Sequence, residues 1–334
     1  MRLRVSQKFH VYDSHTAGNS TRLLIEGVPE LRGRNMVEKK NYFKKNFDYI
    51  RTTLMQEPRG NSGILAIIVP PSRPEADYGM VFCDYRGYVD MCIHGTIGVA
   101  TTLIECGLVP KNALKKKNGA IDFDTPAGLV HTKANLSSSK TVESVAVSNV
   151  PCYLVKETTV NLSGKKIPIS IAFGGNFYAY VNVRNLGLHV VPRELDTILQ
   201  TARSLLVELE KFTPQPRERK KKIVGVSFYE DLGKLHARNI MIADNDLFDR
   251  SPCGTGTCGR MAVLHANGQL NDGEVFRNES IIGSEFQGLV VNKTKVMGMD
   301  AIVPEIRGSA YITGISDLIV SEGDSLGHGY TVKG

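Results

Sequence analysis

Asp249-Arg250-Ser251-Pro252-Cys253-Gly254-Thr255-Gly256-Thr257-Cys258-Gly259 has a counterpart earlier in the chain, Met91-Cys92-Ile93-His94-Gly95-Thr96-Ile97-Gly98. A shift of 161 (253 minus 92) carries Cys92 to Cys253, Gly95 to Gly256, Thr96 to Thr257, Gly98 to Gly259, Leu103 to Leu264 and Gly107 to Gly268. That is six identities over positions 92–107, where chance supplies about one. Both copies read as a turn that opens a helix, an apolar stretch, and then a glycine of the kind that ends helices. Each cysteine is therefore expected at a helix N-terminus.

A helix start favours an anion, because its backbone N–H groups and the positive end of the helix dipole lower a thiol's pKa and hold carboxylates. If two such starts face each other across a cleft, they form an anion cradle flanked by two thiols. One thiolate can then remove an α-proton while the other thiol returns a proton to the opposite face, so a stereocentre inverts without metal, pyridoxal phosphate or nucleotide. A free cysteine is usually a small buried hydrophobe, and Cys83, Cys106, Cys152 and Cys258 take that reading. Cys92 and Cys253 do not, since packing alone gives no reason to recur in the same Gly/Thr turn.

The surrounding residues suggest roles. Asp249 can grip a substrate ammonium or cap a local turn. His94 can orient a substrate or tune the thiol. Asp13 and His15, in Asp13-Ser14-His15-Thr16-Ala17-Gly18, form a polar cluster read as active-site support. The backbone amides of Gly95, Thr96, Gly254 and Thr255 are expected to hold a carboxylate.

The chain of 334 residues is long enough for two domains, and the repeat offset is near half that length. Its 42% hydrophobic and 22% charged residues are those of a globular protein, and no apolar run approaches the ~18 residues of a membrane span. Without an apolar leader at Met1-Arg2-Leu3-Arg4-Val5, a cytoplasmic protein is expected. Six cysteines without CxxC pairs read as reduced thiols. The net charge of +7 gathers in runs such as 115–117 and 217–222, with no interleaved aromatics, so no nucleic-acid partner is expected. Neither a dinucleotide fingerprint nor a P-loop is present.

Short strands separated by turn residues dominate, for example Ile64 to Val69, Tyr178 to Val183 and Ala310 to Thr313. Two longer amphipathic stretches, Met36 to Met55 and Glu194 to Glu210, read as helices, each upstream of a cysteine turn. The expected fold is α/β (α+β): two pseudo-symmetric domains, each a mostly antiparallel sheet around a central helix.

The same residues resemble the proline racemase family, which includes proline racemases, 4-hydroxyproline 2-epimerases and trans-3-hydroxyproline dehydratases. The likeness runs through Asp13 to Gly18, Glu57-Pro58-Arg59-Gly60, the Met91 turn, Ala172-Phe173-Gly174-Gly175-Asn176-Phe177-Tyr178, Asp249 to Thr257 and Gly308 to Gly314. It implies a diaminopimelate-epimerase-like fold, a homodimer, catalysis without cofactor, and C-terminal strands returning to the first domain. The expected domains are 1–127 with 305–334, carrying Cys92, and 128–304, carrying Cys253. Carried over, Cys92 and Cys253 look like the acid/base thiols, and Ile93, His94, Asp249, Gly254 and Thr255 like substrate-binding positions. The intact thiol pair favours a racemase or epimerase over a dehydratase, and the rival from another class is a non-catalytic amino-acid-binding protein on the same scaffold. Three positions depart from the family pattern: Ile93 replaces a glycine, Gly18-Asn19-Ser20 replaces Gly-Glu-Pro, and Cys258 replaces a serine. Ile93 is expected to dry the pocket and disfavour a ring hydroxyl, which selects proline over 4-hydroxyproline.

Overall fold

A computed structural model describes residues 4–60, 63–109, 118–212, 222–243 and 246–332. The basic run 115–117 and most of 217–222 lie outside the described residues. The chain divides into two compact units, 1–146 with 309–334, and 147–308.

The first unit contains β1 (Val5–Thr16), β2 (Asn19–Glu26), α1 (Met36–Asn46), α2 (Asp48–Met55), β3 (Ile64–Val69), β4 (Tyr78–Cys83), β5 (Tyr88–Val89), α3 (Ile93–Glu105), β6 (Ala120–Thr125) and β7 (Gly128–Leu136). Strand β8 (Val142–Ser148) runs through the division, and the remaining strands are β9 (Tyr153–Leu162), β10 (Lys165–Phe173), β11 (Phe177–Asn182), β12 (Ile223–Gly233), β13 (His236–Ala243), β14 (Phe276–Ser280), β15 (Glu285–Val296), β16 (Met299–Gly308) and β17 (Ala310–Ser321). The second unit adds α4 (Leu195–Leu209) and α5 (Gly254–Ala266). The last strand, β17, closes the first unit by pairing antiparallel with β1 from Val5↔Ser321 to Thr16↔Ala310.

The two units repeat one plan. Hairpin β1–β2 is followed by α1 and α2, then by β3 parallel to β2; hairpin β10–β11 is followed by α4, then by β12 parallel to β11. In turn β3–β4 leads through α3 to β6, which is parallel to β4, as β12–β13 leads through α5 to β14, parallel to β13. In each unit the parallel pairs fall where a helix supplies the crossover such pairs require. The first unit extends past residue 127 because β6 and β7 form one hairpin, from Ala120↔Lys133 to Thr125↔Gly128. A division at 127/128 would cut that ladder.

The stretch 36–55 is two helices. Asn35 starts α1 by accepting the Glu38 N–H at 2.9 Å on its side chain, and the helix ends at Phe47. Asn46 and Asp48 are poor helix formers that flank the break. Asp48 then opens α2, bound by Arg51 at 2.8 Å and by the Tyr88 hydroxyl at 2.6 Å. The apolar stripe survives: Phe43, Ile50 and Leu54 are fully buried in the first core, with Phe47 packed beside them. In the second unit Ile198, Ala202, Leu205 and Leu209 of α4 pack on Ile171, Val181, Phe228 and Ile240.

Helices α3 and α5 are the central ones, with Ile93 to Leu103 and Gly254 to Leu264 buried. Burial on every side is what such unpatterned, small-residue helices require. Both end in the same left-handed glycine, Gly107 and Gly268, each at φ +67. The Leu108 and Gln269 N–H groups reach back to Leu103 and Leu264 carbonyls at 2.9 and 2.8 Å, and the two glycine N–H groups to Ile104 and His265. This is the paired bonding of a Schellman cap. Among the described residues no helix is long and apolar enough to cross a membrane.

Candidate active site

Cys92 and Cys253 are the N-cap residues of α3 and α5. Three residues on, Gly95 and Gly256 make room for the sulfurs: a Cβ at either glycine would lie 3.2 Å from Cys92 Sγ or 2.9 Å from Cys253 Sγ. At the next position, the N–H groups of Thr96 and Thr257 donate to the Cys92 and Cys253 carbonyls at 2.9 and 2.6 Å. Thr96 therefore closes the first helical bond, and its amide is not available to a ligand as expected. The positions whose amides have no intrahelical acceptor lie between each cysteine and that threonine, at Ile93, His94 and Gly95 and at Gly254, Thr255 and Gly256.

The first turn is fixed from β1 and β2. The Thr16 hydroxyl donates to the His94 carbonyl at 2.8 Å, and the Asn19 side-chain nitrogen lies 3.1 Å from His94 Nε2. The Cys92 sulfur lies over the His94 ring, 3.4 Å from Nδ1 and 3.7 Å from Nε2. Ile93, His94 and Cys92 are all buried.

The second turn is held more tightly and under strain. Cys253 has φ +56 and ψ 93, a left-handed conformation that costs a non-glycine residue about 1–3 kcal/mol. The Pro252 carbonyl before it accepts from Asn239 at 3.0 Å, Asn278 at 3.3 Å and the Thr257 hydroxyl at 3.0 Å. Buried Asp249 accepts the Ser251 N–H at 2.8 Å and its hydroxyl at 2.7 Å on one oxygen, and Ser251 Oγ accepts the Cys253 N–H at 3.2 Å. The carboxylate thus shapes the turn that presents the thiol. Tyr178 and Tyr180 project from the same face of β11 onto the start of α5. Their hydroxyls meet Thr255 Oγ1 at 2.8 Å and the Gly256 carbonyl at 2.9 Å. Burial pushes the Tyr180 hydroxyl well above its ordinary range, so it stays a proton donor there.

The other four thiols lie elsewhere. Burial drives Cys83 well upward and Cys106 moderately so. Burial and a hydrogen bond with Cys258 do the same for Cys152, and all six cysteines are free. The sequence does not single out Tyr180, Asn239 or Asn278, and it marks Thr16, Asn19 and Tyr178 only within the family strings, with no role assigned. Only the Tyr178/Tyr180 spacing, two residues apart on a strand, signalled a shared face.

Asp13 and His15 have structural partners. Buried Arg22 donates to both Asp13 oxygens at 2.8 and 2.9 Å and to the Leu54 and Arg59 carbonyls at 2.8 Å, tying the β1–β2 hairpin to the end of α2. His15 Nδ1 accepts the Gly18 N–H at 3.3 Å, and the ring lies 5.5 Å from that of Tyr311. Asp13→Ala is expected to destabilise the protein by roughly 2–3 kcal/mol in chemical denaturation, somewhat under the cost for a fully buried pair, because 21% of the Asp13 side chain is exposed. An unchanged denaturation midpoint would show that Arg22 does not depend on this carboxylate.

Like-built α/β units, each with a thiol capping its buried helix, characterise an isomerase acting on amino-acid stereocentres, and the relatives agree. The proline racemase family model matches residues 11–331. The chain is 38% identical over 339 residues to the proline racemase of Clostridioides difficile, covering 99% of this chain and 100% of that protein. It is 39% identical to a probable 4-hydroxyproline 2-epimerase of Rhizobium meliloti, covering 97% and 98%. A crystal structure of a hydroxyproline epimerase from Agrobacterium vitis with bound trans-4-OH-L-proline superposes with a TM-score of 0.89 at 26% identity, covering 98% of this chain and 97% of that one. The chain belongs to the proline racemase family. Its fold is diaminopimelate-epimerase-like, and it is an amino-acid racemase or epimerase.

Proposed function

We propose that the protein interconverts L- and D-proline without a cofactor, with Cys92 and Cys253 working from opposite faces of one α-carbon. One sulfur, as thiolate, takes the α-proton; the other, as thiol, delivers a proton to the far side. The observation that carries this reading is that both cysteines cap buried helices in matching turns, where the helix dipole stabilises negative charge. First-turn amides at Ile93, Gly95, Gly254 and Thr255 hold the substrate carboxylate, His94 lines the same site, and Asp249 faces the ammonium. The free state of all six cysteines supports a reducing, cytoplasmic setting. The family resemblance supports a homodimer.

Ile93 is the reason for choosing proline. Its side chain, buried at the first position of α3, is apolar and itself offers a ring hydroxyl no hydrogen-bond partner. An unpaired buried hydroxyl costs about 1–3 kcal/mol. The second reading, 4-hydroxyproline epimerisation, is favoured by the likeness to the hydroxyproline epimerase crystallised with trans-4-OH-L-proline. Incubation with L-proline and with trans-4-hydroxy-L-proline in heavy water, following chirality and Cα deuteration together, separates the two. For proline, inversion with deuteration is expected, with kcat/KM about tenfold or more above that for the hydroxylated substrate. Equal or reversed specificity constants refute the choice of proline. Binding without deuterium entry at Cα refutes the enzymatic reading altogether.

A further inference from the structure

We infer that the second unit carries a binding pocket for a small organic carboxylate beside the C-terminal half of α5, with Arg260 as the residue that takes the anion. The pocket is separate from the cysteine turns, and the inference does not depend on their chemistry.

The place of Arg260 in the repeat is the first observation. The shift of 161 that relates the two cysteine turns carries Val99 to Arg260. Val99 is fully buried, so filling this position of a central helix does not call for a charge. Arg260 is nonetheless only 8% exposed. Its guanidinium carbon lies 3.8 Å from the centre of the Tyr229 ring. Stacking of this kind occupies the face of the group and leaves its five N–H donors to find acceptors around the edge. Among the described residues they find one, an Asp231 carboxylate oxygen 3.4 Å from Nη2, and Asp231 is itself half exposed. Nε is buried with no partner. A charge so far from water and so thinly bonded is costly unless an acceptor comes from outside the chain.

The space beside it is the second observation. Arg260 lines a cavity of about 550 Å³, with Leu264 and Gly268 following it at spacings of four along α5 and its glycine cap, and with the turn joining β12 to β13 on the other side. That volume suits a small molecule. Leu264 and Phe276 supply apolar surface. Of the other cationic side chains that line the cavity, Lys234 is bound by Glu274 at 2.9 Å and His236 by Glu279 at 2.7 Å, so Arg260 is the one left short of acceptors. A carboxylate offers two oxygens to the guanidinium, and an apolar body behind it covers Leu264 and Phe276. At 1.5 Å per residue the lining positions of α5 lie about 10–20 Å along the axis from Cys253, so a ligand there does not meet the sulfur.

The test is isothermal titration calorimetry of the full-length protein with benzoate as the probe and benzamide as its uncharged counterpart. Benzoate is expected to bind once per chain, and benzamide about tenfold or more weakly. Arg260→Met, which keeps the apolar stem and removes the charge, is expected to weaken benzoate by a similar factor. Asp231→Asn, which removes the carboxylate competing for Arg260 at an exposed position, is expected to tighten it, and it carries the test if Arg260→Met folds poorly. Absence of benzoate binding in the wild type overturns the proposal, since the cavity then holds only solvent. So does equal binding of benzamide, or an affinity indifferent to both substitutions. Binding is expected to survive saturating L-proline, and displacement of benzoate by proline would place the anion at the cysteine turns and equally overturn the pocket. Failure of proline to racemise leaves these titrations interpretable and counts only against the function proposed above.

Discussion

Cys92→Ser and Cys253→Ser are each expected to lower stereoinversion of proline by about 10²- to 10⁴-fold, the range carried by a positioned acid or base. Serine preserves the size and the N-cap position, so the helices remain in place while the ionisable group is lost. A thiol ionises near pH 8.5 in isolation, whereas an aliphatic hydroxyl stays protonated throughout the working range of proteins. The two losses are not additive, because inversion needs both faces served in one turnover, so the double variant should be little worse than either single one. Cys258→Ser is the control. Cys258 is fully buried on α5 and hydrogen-bonds to Cys152, so its replacement should leave inversion nearly intact. Loss of activity equal to that of Cys253→Ser would show that burial, not the helix start, marks the working sulfurs. Retention of inversion in either single variant, measured by polarimetry, would end the two-thiol account.

Gly174→Ala is expected to destabilise the second unit by about 3 kcal/mol or more, the upper range of overpacking, and to impair catalysis at the same time. A Cβ at Gly174 would stand 2.1 Å from the Thr255 carbonyl oxygen and 2.6 Å from the Gly259 nitrogen. Both are main-chain atoms of α5, so no side-chain rotation relieves the overlap. Either the turn between β10 and β11 or the start of α5 must move. The Gly174 carbonyl accepts from Asn149 at 2.8 Å and its N–H donates to Asn176 at 3.0 Å, so the turn is itself anchored. Movement of α5 would carry Thr255 and Gly256 away from Tyr178 and Tyr180 and change the setting of Cys253. Calorimetry should show a fall in melting temperature of about 6–12 °C, at ~2–4 °C per kcal/mol for a unit of this size, with kcat reduced in the remaining folded protein. An unshifted melting curve would mean that α5 does not approach Gly174 this closely.

Much of this arrangement was legible before any coordinates. The two cysteine turns, their place at helix starts and the glycines that end those helices follow from spacing alone, because caps are local devices with fixed residue requirements. Strand Ile64–Val69 was read to the residue, being short, β-branched and bounded by turns. Other elements carry no such local signal. The twelve residues of β1 run through Ser6-Gln7-Lys8 and Asp13-Ser14-His15-Thr16 without steady alternation and become a strand only through β17 and β2 on either side. The end of α1 at Phe47 interrupts a stripe whose spacing continues, so periodicity alone ran through it. Asp13 illustrates the limit most clearly. Its dense polar string suggests chemistry, but its partner Arg22 and the Leu54 and Arg59 carbonyls come together only in the folded hairpin. Asn19 meets His94 for the same reason, since a separation of 75 residues gives no periodic clue.

The unequal backbones at the two caps, extended at Cys92 and left-handed at Cys253, make the duplicated halves alike in plan and different in conformation. Mirror-image substrates have equal free energies, so for the proline racemase proposed above, however differently the two sulfurs are mounted, the ratio of turnover to Michaelis constant must be identical for L- and D-proline. The mismatch between the halves can surface only in each constant taken separately. A faster turnover of one hand is always matched by its weaker apparent affinity.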